Sequence, residues 1–246
     1  MGAGVPRLTS SFTDSVALIA GGTGALGRAV TRAFVAQGAT VVVTYRSKAE
    51  LAELSGNLTG VEGRLEGRRI DVTDGVALAD AIKDILAQHG RIDILVNTVG
   101  GYAGGTPTWQ LESVQLEHML ALNVRATHAL LRAVVPVMLK QARGCIVNVA
   151  AKAALTHPAG AAAYAASKAA ALTMMGCLAA ELLGTGVRAN SILPSTIDTE
   201  ANRHAMPKAD FSKWPKPDDI ARVVLFLCSP ESQVIHGAEI PVYGDR

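Results

Sequence analysis

The residues best suited to chemistry are a tyrosine and a lysine, Tyr164 and Lys168, within the stretch Tyr-Ala-Ala-Ser-Lys. Residues four apart share one face of a helix, so we expect the two side chains to lie one turn apart. An ammonium group at that spacing is expected to lower the pKa of the phenol from its ordinary value of about 10. Such a phenol could exchange a proton near neutral pH, as a general acid does.

A glycine-rich turn lies near the start of the chain, between a strand-like run and a helical stretch. It reads GGTGALG from Gly21 to Gly27 and contains the pattern G-x-G-x-x-G. Glycines allow the backbone to approach a diphosphate closely, and the following helix N-terminus favours its negative charge. With the Tyr/Lys pair, this turn predicts hydride transfer from a nicotinamide dinucleotide, with Tyr164 as proton donor. The cofactor contacts predicted in the turn are Gly21, Gly22, Thr23, Gly24, Ala25, Leu26 and Gly27.

The end of the second predicted strand favours NADPH over NADH. An acid there would accept hydrogen bonds from the ribose and repel a 2′-phosphate. The chain instead reads Tyr45-Arg46-Ser47, with no acid before Glu50. Arg46 can pair with a phosphate, and Ser47 can donate a hydrogen bond to it. The alternative is that Arg46 lies on a solvated loop that tolerates either cofactor, which leaves NADH as the second choice.

The order of apolar and helical stretches predicts the fold. The 246 residues, 49% of them hydrophobic, suffice for one substantial core. Buried strands alternating with helices predict a single-domain α/β protein, a doubly wound, Rossmann-type parallel sheet with helices on both faces. We expect a loose N-terminal segment at 1–14 and the domain at 15–246. The predicted strands are 16–20, 40–45, one that begins or ends at 69–70, 92–96, 145–149, 187–193 and 239–242. The predicted helices are 26–37, 76–89, 113–140, 160–183 and 220–228.

Composition excludes several classes of function. The net charge of +2 is scattered and aromatic residues make up 4%, so a nucleic-acid surface is not expected. The six histidines lack metal-ligand spacing, so no metal is expected. The alanine-rich stretch 159–180 contains Lys168 and is interpreted as a packed helix, not a membrane span. We interpret Cys145, Cys177 and Cys228 as buried thiols in a reducing compartment, and expect a cytoplasmic protein with a small-molecule substrate.

Over nearly its whole length the chain resembles the short-chain dehydrogenase/reductase family. The likeness rests on the glycine-rich turn, the Tyr/Lys pair, the segments LVNTVG and LALNV, and the segment 193–199. It implies that Tyr164 is the acid, that Lys168 holds the nicotinamide ribose, and that Asn123 supports a water that relays protons. It also implies that the helices at 113–140 and 160–183 form a homodimer or homotetramer contact. The remaining cofactor positions implied by the resemblance are Asp71, Val72, Asn97, Gly100, Pro194, Ile197 and Thr199.

The chain departs from the family pattern at the serine that usually orients the substrate carbonyl. Thirteen residues before Tyr164 stands Ala151, and the stretch 148–155 contains no hydroxyl. A ketone reductase without that hydrogen bond would lose a few kcal/mol of transition-state stabilisation. One branch of the family, the dihydropteridine reductases, also carries alanine there, and the chain resembles that branch in the local stretches 21–27, 100–105, 151–155 and 193–214.

The resemblance to that branch implies a planar conjugated acceptor such as a quinonoid dihydropterin. Tyr102 would stack on it, Ala151 would line its site, and Trp214 would anchor a lid over 202–214. The first alternative is a general carbonyl or 3-oxoacyl reductase, with a water or Thr196 in place of the serine. The second is a non-catalytic dinucleotide-binding regulatory protein, supported only by Ala151.

Overall fold

A single parallel sheet organises the part of the chain that the structure describes. The structure is a computed structural model that describes residues 12–58 and 64–244. In this part, seven parallel strands lie in the order β3-β2-β1-β4-β5-β6-β7. The strands are β1 (Val16–Ala20), β2 (Thr40–Tyr45), β3 (Leu65–Arg69), β4 (Ile94–Asn97), β5 (Gly144–Val149), β6 (Val187–Pro194) and β7 (Glu239–Val242). The predicted single-domain α/β fold is confirmed.

Helices connect successive strands and cover both faces of the sheet. They are α1 (Ala25–Ala36), α2 (Lys48–Gly56), α3 (Gly75–His89), α4 (Ser113–Leu120), α5 (Ala126–Gln141), α6 (Ala153–Thr156), α7 (Ala162–Glu181), α8 (Glu200–Ala205) and α9 (Pro217–Cys228). A π-helical turn, Ala121–Arg125, joins α4 to α5, and a 3₁₀ turn lies at Phe211–Lys213. Within the described ranges, no helix is both long and apolar enough to cross a membrane.

Most predicted elements are present, and the differences have local causes. The long helix predicted over 113–140 is interrupted by the π-helical turn, and it continues past Pro136 to Gln141. Helix α2 was not predicted, because it buries only Leu54 and so shows no apolar periodicity. The third predicted strand was expected to begin or end at 69–70. Strand β3 ends at Arg69, so it lies before that position.

Two apolar layers hold the sheet between its helices. One layer packs side chains of α1 and α9, such as Phe34 and Val224, against one face of the sheet. The other packs α3, α5 and α7 against the opposite face, with Leu130 and Ile82 in its interior. Strands buried on both faces consist of continuous apolar runs, and these runs allowed their positions to be predicted from the sequence.

The strand order creates a crevice at the carboxyl ends of β1 and β4. The chain leaves β1 toward β2 on one side and reaches β4 on the other, so the two connections diverge there. Open parallel sheets bind ligands at such a point. Thr98, just after β4, donates a hydrogen bond from its hydroxyl to the Ala20 carbonyl at 2.7 Å. The loop after β4 is therefore fastened to the end of β1, beside the glycine-rich turn.

The first residue of the described chain, Phe12, packs into the core. Residues 1–11 of the expected loose segment lie outside the described residues. Phe12, however, is buried, and its ring meets that of Phe34 edge-on at a centroid distance of 5.1 Å. The Phe12 amide also donates to the Gln37 carbonyl. The expectation of a loose segment is therefore wrong for Phe12, whose aromatic side chain completes the core beside α1.

Candidate active site

The glycine-rich turn is shaped by close backbone contacts that other residues would block. Gly21 adopts a φ of +74°, and a Cβ at Gly27 would overlap the Gly21 carbonyl. A Cβ at Gly22 would likewise overlap the Val43 side chain of β2. Helix α1 begins at Ala25 with Gly24 at its N-cap, where no side chain caps it. The first amides of α1 therefore remain available to an anion. The turn therefore presents a helix N-terminus, whose charge favours an anion such as a diphosphate.

The end of β2 carries the predicted phosphate-binding residues. Tyr45 pairs with Arg69 across the sheet, and the Tyr45 ring lies over Gly67. Arg46 is exposed at the carboxyl end of the strand. The Arg69 side chain donates from Nε to the Arg46 carbonyl at 3.3 Å. The Arg69 guanidinium therefore lies against the backbone of Arg46 at the carboxyl end of β2.

Ser47 caps a helix, whereas Asp71 accepts hydrogen bonds within the turn that precedes Asp74, the N-cap of α3. Ser47 is the N-cap of α2 and accepts a hydrogen bond from the Glu50 amide at 3.4 Å. Asp71 accepts from both the amide and the hydroxyl of Thr73, and these bonds hold its pKa below the ordinary value. Nearby Arg46 lowers the pKa of Asp71 further. Val72 is buried in the layer beneath.

One carboxylate at this end of the sheet escaped the sequence analysis as a site residue. Glu50 turns back from α2 and accepts a hydrogen bond from the Thr23 hydroxyl, inside the glycine-rich turn, at 2.9 Å. The signal in the sequence was the spacing Ser47-x-x-Glu50, which marks a helix start but does not say where the carboxylate goes. An acid therefore reaches the cofactor crevice from a helix that was not predicted.

Asn97 fastens the middle of the sheet to the helix beneath. Its amide nitrogen donates to Asn148 on β5 and to Thr127 on α5, at 2.9 and 3.0 Å. Its oxygen accepts from the Val99 amide at 3.1 Å. Asn97 is buried, so each of these bonds satisfies a group shielded from water. The arrangement sets the course of the loop that leads to Gly100.

Gly100, Asn123 and Lys168 meet at the bottom of the crevice. A Cβ at Gly100 would lie 2.9 Å from both the Asn123 Oδ1 and the Lys168 Nζ. Asn123 is buried in the π-helical turn, where it accepts from the Gly101 amide and donates to the Gly101 carbonyl, each at 3.2 Å. Turns of this kind are frequent at functional sites because they redirect a side chain out of the regular helix. Only glycine leaves room for the two polar side chains.

Ser167 links Asn123 to the helix that carries the tyrosine. The Asn123 amide nitrogen donates to the Ser167 hydroxyl at 3.0 Å, and that hydroxyl donates to the Tyr164 carbonyl at 2.8 Å. Ser167 is fully buried. The spacing of Tyr164 and Lys168 drew attention to this helix, but nothing in the sequence distinguished Ser167 from any helical serine. The π-helical turn and α7 are thereby locked together.

The expected lowering of the Tyr164 pKa is wrong for this structure. Burial raises the pKa of Tyr164 to about 12, and nearby Tyr102 adds to the effect. Burial also lowers the pKa of Lys168 to about 8. The Lys168 ammonium donates to the Val149 carbonyl of β5 at 2.8 Å. The two residues do share a helix face, but burial, not the lysine charge, sets the pKa of Tyr164 in this structure.

A phenol with this pKa stays protonated throughout the physiological range. It can therefore give up its proton only when a stronger base, such as a forming alkoxide, appears beside it. Lys168 keeps most of its charge at neutral pH because its pKa is about 8. The pair can supply one proton donor and one fixed cation to an acceptor in the crevice.

Two of the predicted substrate residues, Tyr102 and Ala151, follow β4 and β5 at the carboxyl edge of the sheet. The Tyr102 ring is 70% exposed and meets the Tyr164 ring edge-on, at a centroid distance of 5.0 Å and an angle of 75°. Ala151 is only 6% exposed, just after β5, and offers no side-chain donor. Lys152, its neighbour, is exposed with its ammonium over the Tyr243 ring at 4.7 Å. Tyr102 therefore contacts the Tyr164 ring while most of its own surface stays exposed to solvent.

The segment 194–214 forms a folded flap beyond β6. The Pro194 carbonyl accepts from the Lys152 amide at 2.8 Å, which extends the β5–β6 pairing toward the site. Thr199 is the N-cap of α8, and the Ile197 carbonyl accepts from the Asn202 side chain at 2.8 Å. The polar contacts within it hold the loop after β6 against α8.

A second set of contacts gives this flap its aromatic interior. Arg203 pairs with Asp198 through both carboxylate oxygens, at 2.5 and 2.8 Å, and stacks over the Phe211 ring. Trp214, half-buried, meets Phe211 at a centroid distance of 5.0 Å. Trp214 thus packs on the Phe211 ring, and its role as the anchor of a substrate lid stays a prediction.

The interpretation of all three cysteines as buried is wrong in one case. Cys145 and Cys228 are buried between β5 and α9, whereas Cys177 is exposed on α7. Cys177 lies in an alanine-rich helix whose apolar residues continue onto its outer face, so hydropathy alone could not separate the two sides. In the described ranges, no three His, Cys, Asp or Glu side chains come together as metal ligands would.

Comparison with known proteins gives the class of this chain. Residues 15–210 match the family model described as short chain dehydrogenase. The 3-oxoacyl-(acyl-carrier-protein) reductase FabG of Thermotoga maritima is 31% identical over 237 residues, covering 93% of this chain and 96% of FabG. The D-threitol dehydrogenase of Mycolicibacterium smegmatis is 33% identical over 238 residues, covering 93% and 91% of the two chains. The crystal structure of gox2181 superposes with a TM-score of 0.89 at 28% identity, covering 95% of each chain.

The chain belongs to the short-chain dehydrogenase/reductase family and is an oxidoreductase. Members of this family bind NAD or NADP, and solved structures of the same fold include one with NADP and one with NAD⁺. The choice of nucleotide therefore depends on this chain's own residues. Nothing in the comparisons points to dihydropteridine reductases in particular, and the relatives named above are reductases and dehydrogenases of other substrates.

Proposed function

We propose that this chain is an NADPH-dependent reductase of a carbonyl group, with Tyr164 as the proton donor. The observation that carries the proposal is the meeting of Asn123, Lys168 and Gly100, with Tyr164 one helical turn before Lys168 on α7. The names of the relatives favour this acceptor class over a dihydropterin. A 3-oxoacyl thioester or a small ketone is the acceptor to try first.

The residues present fit a dinucleotide cofactor. Glycines at positions 22 and 27 let the turn pack tightly against Val43 and the Gly21 carbonyl, and α1 begins there with no side-chain cap on its first amides. Arg46 and Ser47 would hold the 2′-phosphate, and Asp71 and Val72 would adjoin the adenine. Farther along, Gly100, Lys168 and the loop Pro194–Thr199 would contact the nicotinamide end. When bound, the reduced cofactor supplies a hydride to the acceptor carbon.

This chain's own residues would donate the proton and stabilise the charge that is left behind. The acceptor oxygen gains a proton from the Tyr164 phenol as its carbon gains the hydride, and the product is an alcohol. Lys168, a cation at neutral pH, stabilises the phenolate that is left behind. Asn123, fixed by Ser167 and Gly101, would hold the water that returns a proton to the site. Tyr102 and the flap ending at Trp214 would cover the acceptor and keep other water away.

A second acceptor class rests on Ala151. The absence of a hydroxyl from Ala151 removes the donor that a forming alkoxide would need, and costs a few kcal/mol in ketone reduction. A planar conjugated acceptor such as a quinonoid dihydropterin develops less oxyanion charge. The exposed ring of Tyr102 could stack on such an acceptor.

The deciding experiment measures NADPH oxidation with a panel of acceptors. We would compare small ketones, a 3-oxoacyl thioester and a quinonoid dihydropterin, each with wild-type protein, Tyr164→Phe and Ala151→Ser. Carbonyl turnover that falls by about 10²–10⁴ in Tyr164→Phe and rises in Ala151→Ser is the expected result. Turnover of the dihydropterin alone, unaffected by Ala151→Ser, would favour the second class. No turnover of any acceptor, with NADPH still bound, would contradict both.

We also propose a homodimer or homotetramer that works in the cytoplasm. Free thiols at Cys145, Cys177 and Cys228 agree with a reducing compartment. The outer face of α7 carries small residues, among them Ala166, Ala170 and exposed Cys177, which would let a second copy approach closely. Sedimentation of the purified protein tests the oligomer, and a monomer at micromolar concentration would refute it.

A further inference from the structure

Glu50 is the carboxylate that most directly bridges the two halves of the proposed nucleotide site. Its Oε2 accepts from the Thr23 hydroxyl at 2.9 Å, so the carboxylate touches the glycine-rich turn. Its backbone lies three residues beyond Ser47, the N-cap of α2. The side chain therefore spans from the predicted 2′-phosphate residues, Arg46 and Ser47, to the predicted diphosphate cradle.

The position of this side chain is not the default for its place in a helix. In the pattern Ser-x-x-Glu at a helix start, the glutamate usually reaches back to the amide of the N-cap serine. Ser47 does accept from the Glu50 amide, which is the first half of that arrangement. The Glu50 carboxylate, however, accepts from Thr23 on another element. Its negative charge is thus carried toward the crevice.

The neighbouring acid on the same helix provides a natural comparison. Glu53 lies one turn farther along α2 and pairs with Arg28 of α1 at 2.6 Å. Its pKa is lowered by that arginine, so its charge is compensated within the protein. The partner of Glu50 is an uncharged hydroxyl, which leaves the charge of Glu50 to act on whatever binds beside it.

We propose that Glu50 is a specificity-determining residue that opposes the 2′-phosphate and so limits the preference for NADPH over NADH. This inference rests on the proposed cofactor site. It adds a residue whose negative charge counteracts the attraction of Arg46 for the 2′-phosphate. Arg46, steadied by the Arg69 side chain on its carbonyl, attracts the 2′-phosphate. Glu50 repels the same group from the side of the glycine-rich turn. The balance of these charges sets the ratio of the two affinities.

The test measures the Kd values of NADPH and NADH directly, by cofactor fluorescence, without a substrate. Glu50→Gln keeps an oxygen that can accept from Thr23 but removes the charge. We expect NADPH to bind about two- to fivefold more tightly to this variant, the size typical of an exposed charge pair. NADH binding should change less, because NADH shares the diphosphate but lacks the 2′-phosphate. The gain should shrink as ionic strength rises from low to about 1 M, since salt screens exposed charges.

Glu53→Gln is the matched control. It removes a carboxylate from the same face of α2, and the Arg28 that it frees, bonded to the Thr23 carbonyl, would act on the diphosphate that both dinucleotides share. It should leave the ratio of the two Kd values unchanged. An unchanged ratio in Glu50→Gln, or an equal change in both variants, overturns the inference. A gain for NADPH in Glu50→Gln from a wild-type protein that prefers NADH supports the role of Glu50 and refutes the proposed NADPH preference. A wild-type protein that binds neither dinucleotide refutes both.

Discussion

Replacing Lys168 by methionine should change how stability depends on pH. Lys168 is buried, and burial lowers its pKa from 10.5 to about 8. In the unfolded chain the lysine keeps its ordinary pKa. Between pH 8 and 10.5 the unfolded state therefore binds a proton that the folded state has released. The free energy of unfolding must rise with pH across this window.

The size of the effect follows from the two pKa values. Each pKa unit corresponds to about 1.4 kcal/mol, so the difference between 10.5 and about 8 amounts to about 3 kcal/mol. Below pH 8 both states carry the charge, and the folded state bears the full cost of burying it. Above 10.5 both states are neutral and that cost is gone. Methionine, similar in length and uncharged, has no such dependence.

The assay is urea-induced unfolding of the cofactor-free protein at several pH values from 7 to 11, followed by tryptophan fluorescence. Wild-type and Lys168→Met proteins are compared at one protein concentration, because association would shift apparent stability. The free energy of unfolding of the wild type, minus that of the variant, should rise by about 3 kcal/mol between pH 7.5 and 10.5. The variant also loses the hydrogen bond to the Val149 carbonyl, but this loss shifts the difference by the same amount at every pH. A difference that stays flat across the window would refute the assignment of a buried, destabilised cation.

Two further predictions concern the glycine-rich turn and the sheet. Gly27→Ala should lower the free energy of unfolding by about 1–3 kcal/mol in urea titrations, because its Cβ would overlap the Gly21 carbonyl. Gly24→Ala, whose Cβ would lie 3.4 Å from the same oxygen, should keep that stability but bind NADPH more weakly by fluorescence titration; equal stability of the two variants would contradict this reasoning. Asn97→Ala should lower the free energy of unfolding by about 1–3 kcal/mol, because buried partners such as Asn148 would lose a hydrogen bond. If the variant unfolds thermally at the same temperature as the wild type, this network contributes nothing to stability.

The sequence determined the features that depend on neighbours along the chain. The apolar runs located the strands, and the spacing of Tyr164 and Lys168 placed both on one face of α7. The glycines of the first turn were legible because a tight turn restricts which residues can occupy it. The identity of a single residue, Ala151, was also enough to show that a hydroxyl is absent there. In each case the physical cause acts over a few residues.

Tertiary structure decided what those residues can do. Lys168 loses its ordinary pKa because distant segments bury it and the Val149 carbonyl, nineteen positions earlier, takes its hydrogen bond. Tyr164 is made a weaker acid by the same burial and by Tyr102, far along the chain. Glu50 reaches Thr23 only because α2 packs beside the glycine-rich turn. Desolvation and long-range contacts depend on which segments the fold brings together, and no spacing within one segment encodes them.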